Sequence, residues 1–99
     1  MKVKQVKEVE LTANEGFTIP LNGSLKGGDT VAREIVLLVD GEGTVTITDA
    51  DSNAVKVINA NTFDVESYSG GKAIIMADGL DSITVTSTAA DILKYMILV

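Results

Sequence analysis

A few groups of residues in this sequence have the types and spacing of a chemical site, and a candidate cation loop is the first of them. The run Asp49–Asn53 carries oxygen-bearing side chains at its first, third and fifth positions, which is the opening pattern of a calcium loop. Such a loop continues with a glycine for a tight turn and with a bidentate glutamate, but Ala54 and Ala60 occupy those positions. We therefore interpret Thr48–Val55 as a polar β-turn, and a weak calcium site built from several acidic turns stays open as the alternative.

The residues that enzymes use for catalysis are absent or lack partners. The chain has no histidine and no cysteine, so the usual general base, the thiolate nucleophile and the soft metal ligands are missing. Asp64 and Glu66 share a strand face, as the acids of a glycosidase could, but a solvated strand face explains them more simply. The glycine pairs in Gly27–Thr30 and Gly70–Lys72 lack the spacing of a phosphate-binding loop and are interpreted as turns. We predict that the protein is not an enzyme and has no catalytic residue, no cofactor and no metal site.

The composition is typical of a small all-β protein. Valine, isoleucine and threonine make up 31 of the 99 residues, and these β-branched side chains fit a pleated strand better than a helix. The length suits one domain, residues 1–99. The net charge is −6, and no cluster of lysine or arginine is available to neutralise the phosphates of a nucleic acid. We therefore expect no nucleic-acid partner.

The sequence also gives no sign of a membrane anchor or a secretory signal. The most apolar window, Ile92–Val99, has eight residues and includes Lys94, whereas a membrane-spanning helix needs about 20 apolar residues. Met1–Leu11 alternates charged and apolar residues and lacks the continuous apolar core of a signal peptide. We expect no membrane partner, and synthesis in the cytoplasm without a signal peptide.

Turn residues that recur about every 8–12 positions divide the chain into eight or nine short strands. This spacing, without a helical period, predicts a single-domain β-sandwich of jelly-roll type built from antiparallel sheets. The first segment, Met1–Leu11, is interpreted as a strand or as an extended arm that pairs with a neighbouring subunit. Asp40–Gly43 is predicted to form a tight hairpin between the strands that flank it. The predicted strands are Val3–Leu11, Phe17–Leu21, Val31–Val39, Thr44–Thr48, Ala54–Ile58, Thr62–Glu66, Lys72–Ala77, Ser82–Thr88 and Ile92–Val99.

Three of these segments are apolar on both faces, although a strand of a two-layer sandwich needs only one apolar face. They are Val31–Val39, Ala73–Ala77 and Ile92–Val99. Because soluble monomers rarely expose a long apolar surface, we predict that the chain forms a homo-oligomer or docks on a partner. Two alternatives stay open: loops such as Leu25–Asp29 cover the outer face, or a barrel is closed by its own ends. The predicted contact residues are Val31, Ile35, Leu37, Val39, Leu93, Tyr95, Ile97 and Val99.

The segment Gly43–Leu98 resembles the small all-β virion proteins of tailed bacteriophages, namely head decoration (cement) proteins and small head-fibre or tail modules. The shared features are alternating threonine and valine, Asp-Gly turns, acidic loops, the lack of cysteine and a hydrophobic last strand. The resemblance implies a structural role in the virion, with symmetric copies bound to a major capsid or tail protein. It also implies that Met1–Leu11 serves as an arm that reaches this lattice.

A receptor- or glycan-binding module of a tail or cell-surface assembly is the alternative function. Sugar-binding sites usually stack a sugar on an aromatic ring, and this chain has only four aromatic residues and no tryptophan. Of these, we interpret Phe17 and Phe63 as core residues, Tyr95 as core or interface, and Tyr68 as a residue at the edge of a loop. Tyr68 is therefore the aromatic side chain that the alternative function depends on.

Overall fold

The computed structural model describes residues 3–21, 34–59, 62–77 and 79–99, and in this part of the chain it is all-β without a helix. The loop Leu25–Asp29 and the predicted contact residue Val31 lie outside the described residues. The described residues form ten strands, which are β1 (Val3–Glu10), β2 (Phe17–Pro20), β3 (Glu34–Asp40), β4 (Val45–Asp49), β5 (Val57–Asn59), β6 (Thr62–Val65), β7 (Ser67–Tyr68), β8 (Gly71–Met76), β9 (Ser82–Ser87) and β10 (Ile92–Leu98).

The strands pair like one long hairpin that has been rolled up into two sheets. β1 pairs with β10, β2 with β9, β3 with β8 and β4 with β7, and every pair is antiparallel. The six-stranded sheet has the order β1-β10-β3-β8-β5-β6, and the four-stranded sheet has the order β2-β9-β4-β7. This nested pairing is that of a jelly roll, so the predicted all-β sandwich is confirmed.

Alternation along the strands places one set of side chains between the two sheets. In β3, for example, Ile35, Leu37 and Val39 are buried, while the residues between them point away from the core. Each fully buried aliphatic side chain of this kind contributes about 1.5–3 kcal/mol to folding. The core residues of the strands are Ile35, Leu37, Val39, Val57, Ala73, Ile75, Leu93, Tyr95 and Ile97 from the six-stranded sheet, and Ile19, Val45, Ile47, Tyr68, Ile83 and Val85 from the four-stranded sheet.

The N-terminal segment is the edge strand of the six-stranded sheet. β1 pairs with β10 along its length, and its other side has no neighbouring strand among the described residues. The register shifts between Val3 and Gln5, so an irregularity interrupts the alternation there. As a result Val3 and Val6 both point away from the core, whereas Val9 packs against it.

The predicted tight hairpin at Asp40–Gly43 is wrong, because β3 and β4 belong to different sheets and this segment crosses between them. The carboxylate of Asp91 holds the crossing in place. It accepts hydrogen bonds from the backbone N–H of Glu42 at 3.1 Å, from the backbone N–H of Gly43 at 3.0 Å and from the Ser87 hydroxyl at 2.7 Å. A side chain that is distant in sequence thus stabilises the connection, and a local pattern does not reveal it.

Candidate functional site

The structure places six of the eight predicted contact residues in the core. Ile35, Leu37, Val39, Leu93, Tyr95 and Ile97 are all buried between the two sheets, and Val99 is half-buried at the end of the chain. A partner cannot reach the six core residues in the folded subunit. A contact surface therefore has to lie on the other face of the same strands.

That other face, the outer face of the six-stranded sheet, carries a continuous apolar row. Paired positions in adjacent strands share one face of a sheet, and the register links Val6 to Met96, Met96 to Val36, Val36 to Ile74 and Ile74 to Ile58. Five neighbouring strands thus contribute one apolar side chain each, and we call this set the central row.

Two further rows flank the central row along the strand direction. One row contains Val3, Leu98, Glu34 and Met76, and the other contains Glu8, Lys94, Leu38 and Lys72. We call the second set the charged row. Apolar side chains therefore continue beyond the central row on both sides.

The exposure of these side chains marks the outer face as unusual. Val6 is 69% exposed, Met76 59% and Leu38 43%, and Val3 and Ile92 are also exposed. Within the part of the chain that the structure describes, these five are all of the exposed large hydrophobic residues, and every one of them lies on this outer face. Their concentration on one face distinguishes a patch from the single exposed hydrophobic residues that are normal on protein surfaces.

The surface is shallow rather than pocket-like. A depression of about 320 Å³ is lined by Val6, Val36, Leu38 and Met96, with Lys72 and Lys94 among its other lining residues. A second depression, of about 350 Å³, lies between β5 and β8 and includes Ile58, Ile74 and Lys72. A broad apolar face with a few charges suits contact with another protein surface better than enclosure of a small ligand.

The charges of this face are only partly paired. The Lys94 ammonium lies 3.6 Å from a carboxylate oxygen of Glu8, its neighbour across β1 and β10. Lys72, in the same charged row, has no ion pair with any residue that the structure describes. One cation of the face is therefore available to a carboxylate from outside the subunit.

The outer face of the four-stranded sheet is different, because hydroxyl groups cover it. Thr18, Thr84 and Thr48 form one row across three strands, and the Thr18 and Thr84 hydroxyls lie 3.0 Å apart in a hydrogen bond. Thr46 lies next to Ser67 in a second row. This face carries none of the exposed large hydrophobic residues named above and can stay in contact with water at little cost.

The calcium-like run Asp49–Asn53 is a hydrogen-bonded turn. One carboxylate oxygen of Asp49 accepts hydrogen bonds from the backbone N–H groups of Asp51 and Asn53, both at 2.9 Å. The predicted polar β-turn is thereby confirmed. Glu66 is exposed at the bend after β6, and the side chain of Asp64 is not described. Among the described residues, no group of three acidic, histidine or cysteine side chains could hold a metal ion.

Tyr68 ends the two-residue strand β7, directly before the bend at Ser69 and Gly70, and its side chain is turned into the core. The residue is 7% exposed, and burial raises the pKa of its hydroxyl to about 12. The hydroxyl has no hydrogen-bond partner among the described residues. A buried ring cannot stack on a sugar, so the aromatic residue on which a glycan-binding function depends is unavailable.

Replacing Tyr68 by phenylalanine is expected to leave the free energy of unfolding unchanged or to raise it by about 1 kcal/mol, because a buried polar group without a partner costs about 1–3 kcal/mol. Urea denaturation of the two proteins measures the difference. Tyr68→Leu serves as the control and should be destabilising, since the ring fills part of the core. A loss of more than about 1 kcal/mol in Tyr68→Phe would reveal a hydrogen bond to the hydroxyl and contradict the prediction.

The described residues include no helix that is long and apolar enough to cross a membrane. Comparison of the chain with models of protein families, with curated proteins and with solved structures finds no significant match in any of the three.

Proposed function

We propose that this protein is a non-enzymatic structural component that self-associates through the outer face of its six-stranded sheet and acts as a decoration or auxiliary protein of a phage particle. The observation that carries the proposal is the difference between the two outer faces. One face collects the exposed large hydrophobic residues, whereas the other presents threonine and serine hydroxyls. Such asymmetry is expected of a subunit with one face against a partner and the other in water.

The energetics favour contact over exposure. Removing apolar surface from water contributes about 25 cal/mol for each Å² that is buried. The central row supplies this surface on strands that the core already holds rigid, so little conformational entropy is lost on association. A preformed flat face of this kind is suited to a permanent structural contact.

The position of β1 supports the docking part of the proposal. β1 lies at the border of the six-stranded sheet, so its outer edge offers backbone groups to which an extended segment of a capsid or tail protein can add as a further strand. Lys7, Glu8 and Glu10 are exposed along this edge and discourage pairing with unsuitable partners. Self-association and docking would thus use different parts of the same subunit.

The self-association is tested by placing charges on the outer face. We expect the unmodified protein to elute as an oligomer at micromolar concentrations in size-exclusion chromatography with light scattering. The double variant Val6→Glu/Met76→Glu is expected to be monomeric, because two carboxylates would have to be buried against apolar side chains, in rows of the face that contain no lysine. Both side chains are exposed in the subunit, so the variant should retain the circular dichroism spectrum of the folded protein.

The matched control introduces the same two charges on the hydroxyl-covered face, as Thr18→Glu/Thr46→Glu. These residues are also exposed, and this variant is expected to keep the oligomeric state of the unmodified protein. An unmodified protein that is monomeric at high micromolar concentration would contradict the proposal. So would a control that dissociates as readily as the Val6→Glu/Met76→Glu variant.

The virion role is tested separately by the genes that flank the coding sequence. Capsid or tail genes on either side would support it, and the protein should then be found by mass spectrometry in purified particles. A neighbourhood of cellular metabolic genes would contradict it, whatever the oligomeric state.

A further inference from the structure

We propose that two copies of this chain pack face to face, with the two-fold axis parallel to the strands and located between β10 and β3. The proposal rests on the self-association proposed above and specifies its geometry. The observation that carries it is the order of charges and apolar groups in the rows of the outer face. The occupant of the apolar face is thus a second copy of the same chain.

Rotation about this axis exchanges β1 with β8 and β10 with β3, because the axis lies in the middle of the series β1-β10-β3-β8. Each row stays at the same level along the strands. In the central row, Val6 therefore lies opposite Ile74 of the second copy, and Met96 lies opposite Val36 of the second copy. Stacked sheets pack about 10 Å apart with their strands within about 30° of one another, which this arrangement allows.

The charged row gives the strongest support. The same rotation places Glu8 on β1 opposite Lys72 on β8 of the second copy, and symmetry forms this pair twice. Within the charged row, Lys72 is the lysine that has no ion pair with a described residue of its own subunit. Lys94 lies opposite Leu38, which its aliphatic stem can cover while the ammonium stays close to Glu8.

A two-fold axis in the same plane but perpendicular to the strands does not give this complementarity. Rotation about this axis would place each strand opposite the same strand of the second copy. It would also place each of the two flanking rows opposite the other flanking row of the second copy. With the axis on the central row, Glu8, Lys94 and Lys72 would face the side chains of Val3, Leu98 and Met76. Glu8 and Lys94 would keep their own ion pair, but Lys72 would be buried against Met76 without a partner, at a cost of several kcal/mol, so this orientation is disfavoured. Glu34 does not distinguish the two axes, because it lies opposite a leucine in both, Leu98 in the first and Leu38 in the second.

Charge reversal tests the proposed pair. We expect Lys72→Glu to raise the dimer dissociation constant by about tenfold or more, because it places two carboxylates opposite each other at two symmetric positions. The double variant Lys72→Glu/Glu8→Lys restores the opposite charges and should recover most of the affinity. Sedimentation equilibrium gives the dissociation constants, and thermal melts establish that each variant is folded.

The control for the change in net charge is Lys7→Glu. Lys7 is exposed and adjacent to Glu8, but it points to the other side of the sheet, so this variant is expected to leave the dissociation constant within about threefold of the original value. Equal weakening by Lys7→Glu and Lys72→Glu would overturn the proposed pair.

Cross-linking tests the axis directly, because the chain has no cysteine of its own. A mixture of Val6→Cys and Ile74→Cys subunits, treated with a short bismaleimide, should give a covalent dimer that contains one of each. Val6→Cys alone should give almost none, since its two thiols would be separated by three strand spacings, about 14 Å. A covalent dimer from Val6→Cys alone would indicate the perpendicular axis and overturn the proposal.

The two proposals fail in different ways. If the protein oligomerises, and Val6→Glu/Met76→Glu is monomeric, but the charge swap does not restore the affinity, the axis is wrong and the self-association stands. If the unmodified protein is monomeric throughout, both proposals fail.

Discussion

Replacing Leu37 by alanine is expected to lower the free energy of unfolding by about 2–5 kcal/mol, whereas Leu38→Ala should lower it by about 1 kcal/mol or less. The two leucines are adjacent in β3, but Leu37 is fully buried between the sheets and Leu38 is 43% exposed on the outer face. Leu37→Ala loses the transfer free energy of the side chain and leaves a cavity, because the surrounding core relaxes only in part. Leu38→Ala leaves no cavity in the subunit.

Urea denaturation at protein concentrations low enough to keep the chain monomeric measures both values. At concentrations at which the chain associates, Leu38→Ala should weaken the oligomer more than Leu37→Ala does. The affinity of the Leu37→Ala protein is compared for its folded fraction only. Equal destabilisation by the two variants at low concentration would contradict the prediction, since it would mean that the outer face is as well covered as the core. This pair of variants separates the two faces of one strand with the same residue type.

The second large effect is expected at Asp91, whose replacement by asparagine should lower the melting temperature at neutral pH by several degrees. Asp91 is 4% exposed, and its carboxylate connects Ser87 with the backbone of Glu42 and Gly43. Asparagine keeps one acceptor oxygen, but its amide N–H₂ group takes the place of the other. At least one of the three donors, namely the Ser87 hydroxyl and the N–H groups of Glu42 and Gly43, therefore loses its acceptor. The loss affects the β3–β4 connection and the β9–β10 connection, which meet at this end of the sandwich.

The pH dependence of stability identifies the carboxylate as the cause. The Ser87 hydroxyl and the N–H groups of Gly43 and Glu42 hold the pKa of Asp91 below its ordinary value of 3.8, with the Ser87 hydrogen bond as the largest contribution, although burial acts in the opposite direction. Because the pKa is lower in the folded state, the contribution of Asp91 is fully present above the unfolded value. It is lost as the pH falls below 3.8 through the folded value.

The melting temperatures of the unmodified protein and of Asp91→Asn should therefore converge as the pH is lowered from neutral to strongly acidic values. Ser87→Ala removes the largest of the contributions to the lowered pKa and is expected to shift the acid transition of the unmodified protein towards higher pH. A difference in melting temperature between the unmodified protein and Asp91→Asn that is the same at every pH would contradict an ionic role for Asp91.

The strands themselves were largely predictable from the sequence. Ser82–Thr88 was predicted and β9 spans Ser82–Ser87, and Ile92–Val99 was predicted and β10 spans Ile92–Leu98. Both segments alternate or are continuously apolar between turn residues, and these are local properties of the chain. The short strand β7 was missed, because two residues next to a glycine pair give no periodic pattern.

The connections were less predictable. Asp40–Gly43 has the composition of a hairpin turn, yet it joins the two sheets. Turn residues indicate that the chain reverses direction, but the choice between pairing with the preceding strand and crossing to the other sheet depends on distant contacts. Here the contact is the carboxylate of Asp91, about which the local sequence carries no information.

The alternation along the chain already shows that β3, β8 and β10 have two apolar faces, since a period of two assigns every side chain to one face or the other. The packing of the two sheets shows which of these faces is covered. In β10, Leu93, Tyr95 and Ile97 lie towards the four-stranded sheet, whereas Ile92, Met96 and Leu98 lie beside Lys94 on the surface. The physical reason is that each sheet of this sandwich has a single covering partner, so the register between strands buries one apolar face and leaves the other on the surface.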